Sequence, residues 1–363
     1  MPAGVEGCCT GAHDPHHGGC CRGAFGARAL RCGLGGRTAV AHANQRLNKA
    51  FRFSRFSIPS LFLIDFDYTC RRVVSHDVRG PTFNSAKAIM SEPVSTSPTV
   101  LVTGAPDGIG YATARRFVDD GATVYLHAPD QDSGDEAMTR LVKDGAEPLR
   151  LHLVVADFAR LDEVASLADT LSVNVPALDV LVNNAAVAAP ERRTYTHDGH
   201  ELTFQVNYLA PYLLTMKLVP RLASAGGRVV NVSSAMHRGG NINWNNPAGK
   251  HQYWPLAAYA QSKLALTMYT KSLAEVGGAS FTALSVHPGV FDTRLLPIYG
   301  RVGRPAEEAA PILTTLGSPT HPVVDGGYYD GLSLAPAAAL VENPRARSRL
   351  AKLSAHLVGS ALH

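Results

Sequence analysis

The strongest constraint on the fold of this chain is the run Thr103-Gly104-Ala105-Pro106-Asp107-Gly108-Ile109-Gly110, which sits between an apolar strand pattern and a helical one. Gly104 permits a tight turn there, Gly108 lets backbone approach a pyrophosphate, and Gly110 lets the helix lie close to the sheet. The helix N-terminus then offers N–H groups and a positive dipole end to phosphate. Asp107 and Ile109 belong to the same candidate cofactor-binding turn. A strand, a glycine turn and a helix in that order form the first step of a parallel sheet covered on both faces.

The chain continues that alternation. Strands are expected at 99–102, 123–127, 149–156, 179–183, 228–232 and 281–286, and helices at 109–119, 161–171, 201–222 and 256–276. The fold class predicted is α/β, a doubly wound parallel sheet forming a single Rossmann-type domain over residues 99–363. Residues 1–98 read as an N-terminal extension, disordered or the product of a mistaken start, with Met90 as the alternative start.

The chemistry concentrates in Tyr259-Ala260-Gln261-Ser262-Lys263, which follows the pair Ser233-Ser234. On a helix, residues four apart project from one face, so the phenol and the ammonium address one pocket. A phenol of pKa ~10 is a poor acid–base group at neutral pH, but an adjacent lysine charge favours phenolate. Such a pair can pass a proton to or from an alcohol. Strand alternation points Ser233 and Ser234 oppositely, so at most one of them is central. Asn207 lies four residues before Pro211, which removes a helical hydrogen bond and pushes against the Asn207 carbonyl. A kink is therefore expected there, freeing an acceptor for a water beside Lys263.

Taken together, these motifs resemble the short-chain dehydrogenase/reductase family, retinol-dehydrogenase-like branch. The carriers are the Thr-Gly-x-x-x-Gly-x-Gly turn, Asn183-Asn184-Ala185-Ala186, Asn207, Val229-Val230-Asn231-Val232-Ser233-Ser234-Ala235-Met236-His237, Tyr259 with Lys263, and His287-Pro288-Gly289-Val290-Phe291-Asp292-Thr293. The resemblance covers roughly residues 99–355. It implies reversible hydride transfer between a nicotinamide cofactor and an alcohol/carbonyl pair. It assigns Tyr259 as acid/base, Lys263 and Asn207 to a proton relay, and Ser234, rather than Ser233, to the substrate oxygen. It implies cofactor contacts for Asp157, Asn183, Ala185, Pro288, Gly289 and Thr293, besides Tyr259 and Lys263. A homodimer or homotetramer through helices 201–222 and 256–276 is a further expectation by resemblance. Ala186 in place of glycine and the Pro106-Asp107 pair keep one alternative open, a non-catalytic dinucleotide-binding or redox-sensing protein. A nucleotide-sugar epimerase is a remoter one.

The cofactor is expected to be NAD or NADP, with a lean to NAD. In the family an acidic residue ending the second strand favours NAD and a basic residue one place later favours NADP; here Ala128 and Pro129 hold those places. Asp107 and Asp130 would repel a 2′-phosphate, with His127 as a partial offset. Tyr253, Trp244 and Trp254 between Ser234 and Tyr259, and Phe291, Leu295, Leu296, Ile298 and Tyr299 later, point to a bulky apolar substrate. Arg301 and Arg304 read as solvated surface.

The net charge of +4 comes from residues 1–98. Pro15 to Ile64 contains no Asp or Glu but seven arginines from Arg22 to Arg55. A transit peptide is one reading of that segment, and a zinc cluster of its Cys and His residues a remoter one. All six cysteines lie between Cys8 and Cys70. The main body has none, which suits a cytoplasmic setting. No stretch approaches the ~20 apolar residues of a membrane span. Nothing argues for nucleic acid as a partner; the expected partner is a small-molecule alcohol or carbonyl compound.

Overall fold

The computed structural model describes residues 97–244, 253–295, 297, 300, 302–359 and 361. These residues fall in the second of two compact units, Ala88–His363. The expected extension up to residue 96, with Met90 and the six cysteines, lies outside the described residues.

Short runs of β-branched and leucine side chains build the sheet. Its strands are β1 (Thr99–Val102), β2 (Thr123–Ala128), β3 (Leu151–Val155), β4 (Val180–Asn183), β5 (Arg228–Val232), β6 (Thr282–His287), β7 (Tyr328–Asp330) and β8 (Ser333–Ala335). They lie in the order β3-β2-β1-β4-β5-β6-β7-β8. Every pairing is parallel except that of β7 with β8. Successive side chains on a strand point to opposite faces. Val100 and Val102 therefore enter one core with Phe117, Leu141 and Leu313, while Leu101 enters the other with Leu171, Leu213 and Leu264. Burial on both faces explains why these strands are almost continuously apolar.

Helices cover both faces: α1 (Gly108–Asp119), α2 (Gln131–Lys143), α3 (Leu161–Asn174), the single turn α4 (Leu202–Phe204), α5 (Ala210–Ala225), α6 (Pro255–Gly277), α7 (Ala310–Gly317), α8 (Ala339–Glu342) and α9 (Pro344–Leu357). The doubly wound fold expected from the alternation is the fold observed. Most elements start or end within a few residues of the expected bounds, and two of the differences lie at prolines. Residues Pro148–Arg150 form a 3₁₀ turn, so the third strand begins only at Leu151; Pro148 has no N–H to give a ladder. The helix expected over 201–222 is interrupted by a wide π turn, Gln205–Leu209, directly before Ala210 and Pro211. Both a wide π turn and a proline are recognised sites of helix distortion.

One polar anchor ties the far end of β5 to α7. Arg228 is buried, and its Nη1 donates to the carbonyls of Leu316 (3.1 Å), His321 (3.0 Å) and Ser318. Nε donates to Thr282 Oγ1 at 3.1 Å. The guanidinium thus satisfies carbonyls at a helix end that has no intrahelical donors left. Arg228→Met, which keeps the aliphatic stem, is expected to cost about 3 kcal/mol by taking this donor from the Leu316 and His321 carbonyls. Urea unfolding of the two proteins, compared at equal slope, measures it.

Candidate active site

The loops leaving β1 and β4 run to opposite faces of the sheet, because the strand order reverses between them. Open α/β sheets bind ligands at that point. A cavity of about 470 Å³ lies there. Its walls include Gly104, Asp107, Gly108, Ile109 and Gly110 after β1, Asp157 after β3, Ala185 after β4 and Thr293 after β6. These residues are distant in sequence, and the topology brings them into one surface.

The turn itself depends on two glycines. Gly104 has φ +63°, and a Cβ on it would stand 2.7 Å from Ala185 Cα. A Cβ on Gly110 would stand 2.0 Å from the Gly104 carbonyl oxygen and 2.6 Å from Asn184 Nδ2. Asn184 Nδ2 donates to the Thr103 and Gly104 carbonyls at 2.9 and 3.0 Å. Thr103 Oγ1 accepts from Asn184 N and Ala185 N, both at 3.0 Å. Arg140 Nη2 donates to the Pro106 carbonyl at 2.7 Å. Thr103, Arg140 and Asn184 were not singled out as site residues. Thr103 and Asn184 stand inside the quoted motifs, so their signal was present; Arg140 reaches the turn from α2 and carries none.

His127 belongs to the same turn. Gly104 N–H donates to its Nδ1 at 3.1 Å, and its Nε2–H donates to the Ala156 carbonyl at 2.9 Å. The ring is buried against Phe158, with centroids 4.2 Å apart. Burial pushes its pKa down to about 4. His127 is therefore neutral and does not offset the nearby carboxylates, contrary to the expectation from sequence. Those carboxylates have other partners. Asp107 Oδ2 lies 2.8 Å from Arg294 Nε. Asp130 caps α2 by accepting from Ser133 N at 2.8 Å, a bond that holds its carboxyl below the usual range. Asp157 accepts from Ala159 N at 2.8 Å while lining the cavity.

Asn183 lies elsewhere. It is buried, and its Nδ2 donates to Asn231 Oδ1 at 2.8 Å and Thr215 Oγ1 at 3.0 Å. Strand alternation turns it towards α5, and Asn184, one residue on, lines the cavity instead. Pro288 and Gly289 also stand outside the cavity wall; Gly289 packs against Arg304 and Phe291.

Asn207, Ser234, Tyr259 and Lys263 are all buried and stand outside the cavity wall. A chain of bonds connects Asn207 and the backbone of Tyr259 to it. Asn207 Oδ1 accepts from the N–H of Val187, a cavity residue, at 2.8 Å, and Nδ2 donates to the Val187 carbonyl at 3.1 Å. Asn207 Nδ2 also donates to Ser262 Oγ at 3.2 Å, and Ser262 Oγ donates to the Tyr259 carbonyl at 2.8 Å. The Asn207 side chain thus joins the cavity wall to α6. Lys263 Nζ lies 5.7 Å from the Tyr259 ring centroid and donates to the Val232 carbonyl at 2.9 Å. Burial pushes its pKa down to about 7. The two serines diverge as alternation requires. Ser233 Oγ pairs with Thr267 Oγ1 at 2.7 Å inside α6, whereas Ser234 Oγ accepts from Met236 N at 3.1 Å.

Several of the expected substrate-side aromatics serve packing. Trp244 lies against the main core with the Arg349 guanidinium 4.7 Å over its ring, and Phe291 is buried beneath Arg304. Trp254 is 69% exposed, and Leu295 lines the cavity. Leu296, Ile298, Tyr299, Arg301 and His251 lie outside the described residues.

Comparisons agree with this geometry. The sequence model of one family, described as short chain dehydrogenase, matches residues 98–298. Polyprenol dehydrogenase of mouse (Mus musculus) is 38% identical over 216 residues, which are 57% of this chain and 64% of that protein. Mouse retinol dehydrogenase 13 is 34% identical over 284 residues, 73% of this chain and 84% of its own. A crystal structure of an uncharacterized protein from Mycobacterium paratuberculosis superposes with a TM-score of 0.61 at 29% identity, across 72% of this chain and 93% of that one.

Lys263 makes stability depend on pH in an uncommon direction. The unfolded chain keeps this proton up to its ordinary pKa of 10.5, while the folded protein releases it near 7. Between those values the unfolded state binds more protons, so stability from this residue rises with pH, by at most about 1.4 kcal/mol per unit. Chemical denaturation midpoints of the cofactor-free protein from pH 6.5 to 9 are expected to contain this rise, and Lys263→Met to remove it. Identical profiles for the two proteins would contradict the assignment.

Proposed function

The chain belongs to the short-chain dehydrogenase family, and from that premise we propose that it interconverts a bulky apolar alcohol and its aldehyde or ketone, with NAD as the preferred cofactor. NAD(P)-dependent oxidoreduction follows from the family. The observation that supports placing the chemistry at this cavity is the bonded chain from its wall through Val187, Asn207 and Ser262 to the helix of Tyr259 and Lys263.

The residues present fit a dinucleotide. The glycine turn places the α1 N-terminus on the cavity, where its backbone N–H groups would hold a pyrophosphate. Gly108, Gly110, Asp157, Ala185 and Thr293 would hold it. When bound, the nicotinamide supplies or accepts the hydride. The chain's own residues manage the proton. Tyr259 donates it to the carbonyl oxygen in reduction and takes it from the alcohol in oxidation. A charged Lys263 favours the phenolate form. Ser234 hydrogen-bonds the same oxygen and stabilises its developing charge. Asn207 fixes the cavity wall relative to Tyr259, consistent with a relay that passes the proton onwards.

The lean to NAD rests on charge. Asp107, Asp130 and Asp157 stand in the cavity wall with one guanidinium, that of Arg294, which is already paired with Asp107. Pro129 supplies no donor, and His127 is neutral. A 2′-phosphate would add negative charge where carboxylates already predominate. Support for a bulky apolar substrate comes from Val187, Leu202, Val206 and Leu295 in the wall, and from relatives named for retinol and polyprenol.

Tyr259→Phe is expected to lower kcat by about 100-fold or more while leaving NADH binding intact. Steady-state kinetics on long-chain and cyclic apolar alcohols, with NADH fluorescence titration, measure both; undiminished turnover would refute the acid–base role. In the wild type, NADH is expected to bind at least about 10-fold more tightly than NADPH, a difference near 1.4 kcal/mol. Pro129→Arg is expected to narrow that gap. A wild-type preference for NADPH would overturn the charge argument.

A further inference from the structure

His237 performs a task that the reaction scheme above leaves unassigned. It lies in the 3₁₀ turn Ala235–Gly239 that begins directly after Ser234, and it is fully buried. Its ring Nδ1 lies 2.7 Å from the Ser234 carbonyl oxygen, and its own backbone N–H reaches the same oxygen at 3.0 Å. The other ring nitrogen accepts from Ala338 N–H at 3.1 Å, across 101 residues of sequence. A backbone amide can only donate, so Nε2 must be unprotonated and Nδ1 must carry the hydrogen. The imidazole is thus neutral, with its tautomer fixed by its two partners. Burial lowers its pKa, and the nearby Arg238 and His287 act in the same direction.

The surroundings hold the ring in place. Tyr328 of β7 packs on it with centroids 4.4 Å apart, and the Arg238 guanidinium lies 5.1 Å over the same tyrosine. Arg238 also donates to the Pro336 carbonyl through Nε and Nη2, at 3.2 and 3.1 Å. The far side of the turn presses on α6, where a Cβ on Gly240 would stand 2.6 Å from the Ala260 carbonyl oxygen. The turn is therefore wedged between the C-terminal segment and the helix carrying Tyr259. Ser234 is the hinge of that wedge: its backbone is extended (φ −154°, ψ 151°), and its hydroxyl accepts from Met236 N within the same turn.

We propose that His237 is a positioning residue: by holding the Ser234 carbonyl with its Nδ1–H, it keeps the Ser234 hydroxyl aligned with Tyr259, and it ties that alignment to the C-terminal segment at Ala338. The inference rests on the reading that Ser234 addresses the substrate oxygen. The carbonyl of Ser234 sets the plane of the following peptide, and two donors on one oxygen leave that plane little freedom. A small misplacement of a group that must meet the reacting oxygen is costly, up to about 100-fold in rate.

Two variants separate the halves of the device. In His237→Asn the amide nitrogen replaces Nδ1–H and preserves the bond to Ser234, but the link to Ala338 is lost. In His237→Gln the amide oxygen replaces Nε2 and preserves the link to Ala338, but the donor to Ser234 is lost. His237→Gln is expected to lower kcat about 10-fold, with NADH affinity unchanged. His237→Asn is expected to stay within about 3-fold of wild type, whatever the change in melting temperature. With Ser234→Ala in the background, His237→Gln is expected to cost nothing further. Equal losses in the Asn and Gln variants, a Gln variant at wild-type kcat, or independent losses in the double variant would each overturn the proposal. So would ring ¹⁵N shifts of the wild type showing hydrogen on Nε2, a readout independent of any variant. A wild type that turns over no alcohol or carbonyl compound would sink the oxidoreductase reading and this inference with it. An active wild type with a fully active Gln variant would sink this inference alone.

Discussion

The close approach of Gly104 to Ala185, and of Gly110 to the Gly104 carbonyl, is the contact on which the site depends. The turns after β1 and β4 must nearly touch for the crevice between them to present backbone rather than side chains. A Cβ at Gly104 would meet main chain, not a flexible side-chain tip, so neither turn can give way cheaply. Thr103 and Asn184 then bind the two turns with side-chain hydrogen bonds across the gap. Sheet topology supplies the crevice, the absent side chains let it close, and the amide and hydroxyl lock it. Without the first two, the hydrogen bonds would have nothing to span.

Two buried histidines, His127 and His237, follow a common logic on the two sides of this arrangement. His127 accepts from the glycine turn and donates to the end of β3. His237 donates to the Ser234 carbonyl and accepts from the C-terminal segment. A neutral imidazole is the only side chain that offers one donor and one acceptor on opposite edges of a rigid ring. Each joins two backbone segments that no strand pairing connects. Their low basicity is part of that use, since a second proton would turn an acceptor into a donor facing an N–H.

The sequence made the fold legible wherever burial was strongest. The strands at 99–102 and 228–232 were placed correctly because both faces of those strands are covered and their apolar runs are uninterrupted. β7, β8 and α9 escaped notice because their strands are three residues long and the helix is polar and basic outside a narrow stripe of Ala346 and Leu350. The glycine turn, Asp157, Ala185 and Thr293, which motif order alone groups, line one cavity. Asn183 was drawn into the same group by its motif, but strand parity decides which of two adjacent asparagines faces the crevice. The braces Arg140 and His127 depend on distances between elements, which spacing along the chain does not encode. Pro211 was read correctly as a disturbance of the helix, but its form, a π turn that leaves the Asn207 amide aimed at Val187, is a property of packing.

Burial of Tyr259 and Lys263 sets what their surroundings must supply. An ammonium taken from water loses solvation that one carbonyl, that of Val232, only partly replaces. Its pKa near 7 is the visible consequence. The same loss makes the lysine sensitive to any charge placed nearby, because low dielectric strengthens each interaction. The Tyr259 ring centroid lies 5.7 Å from that ammonium, and their interaction is stronger there than it would be in water. Burying the pair thus exchanges stability for a stronger interaction between the ammonium and the ring. That exchange is effective only if neither group can move towards solvent. The anchors are consistent with that demand: Val232 on the sheet for Lys263, and Asn207 with Ser262 on the cavity side for the helix that carries both.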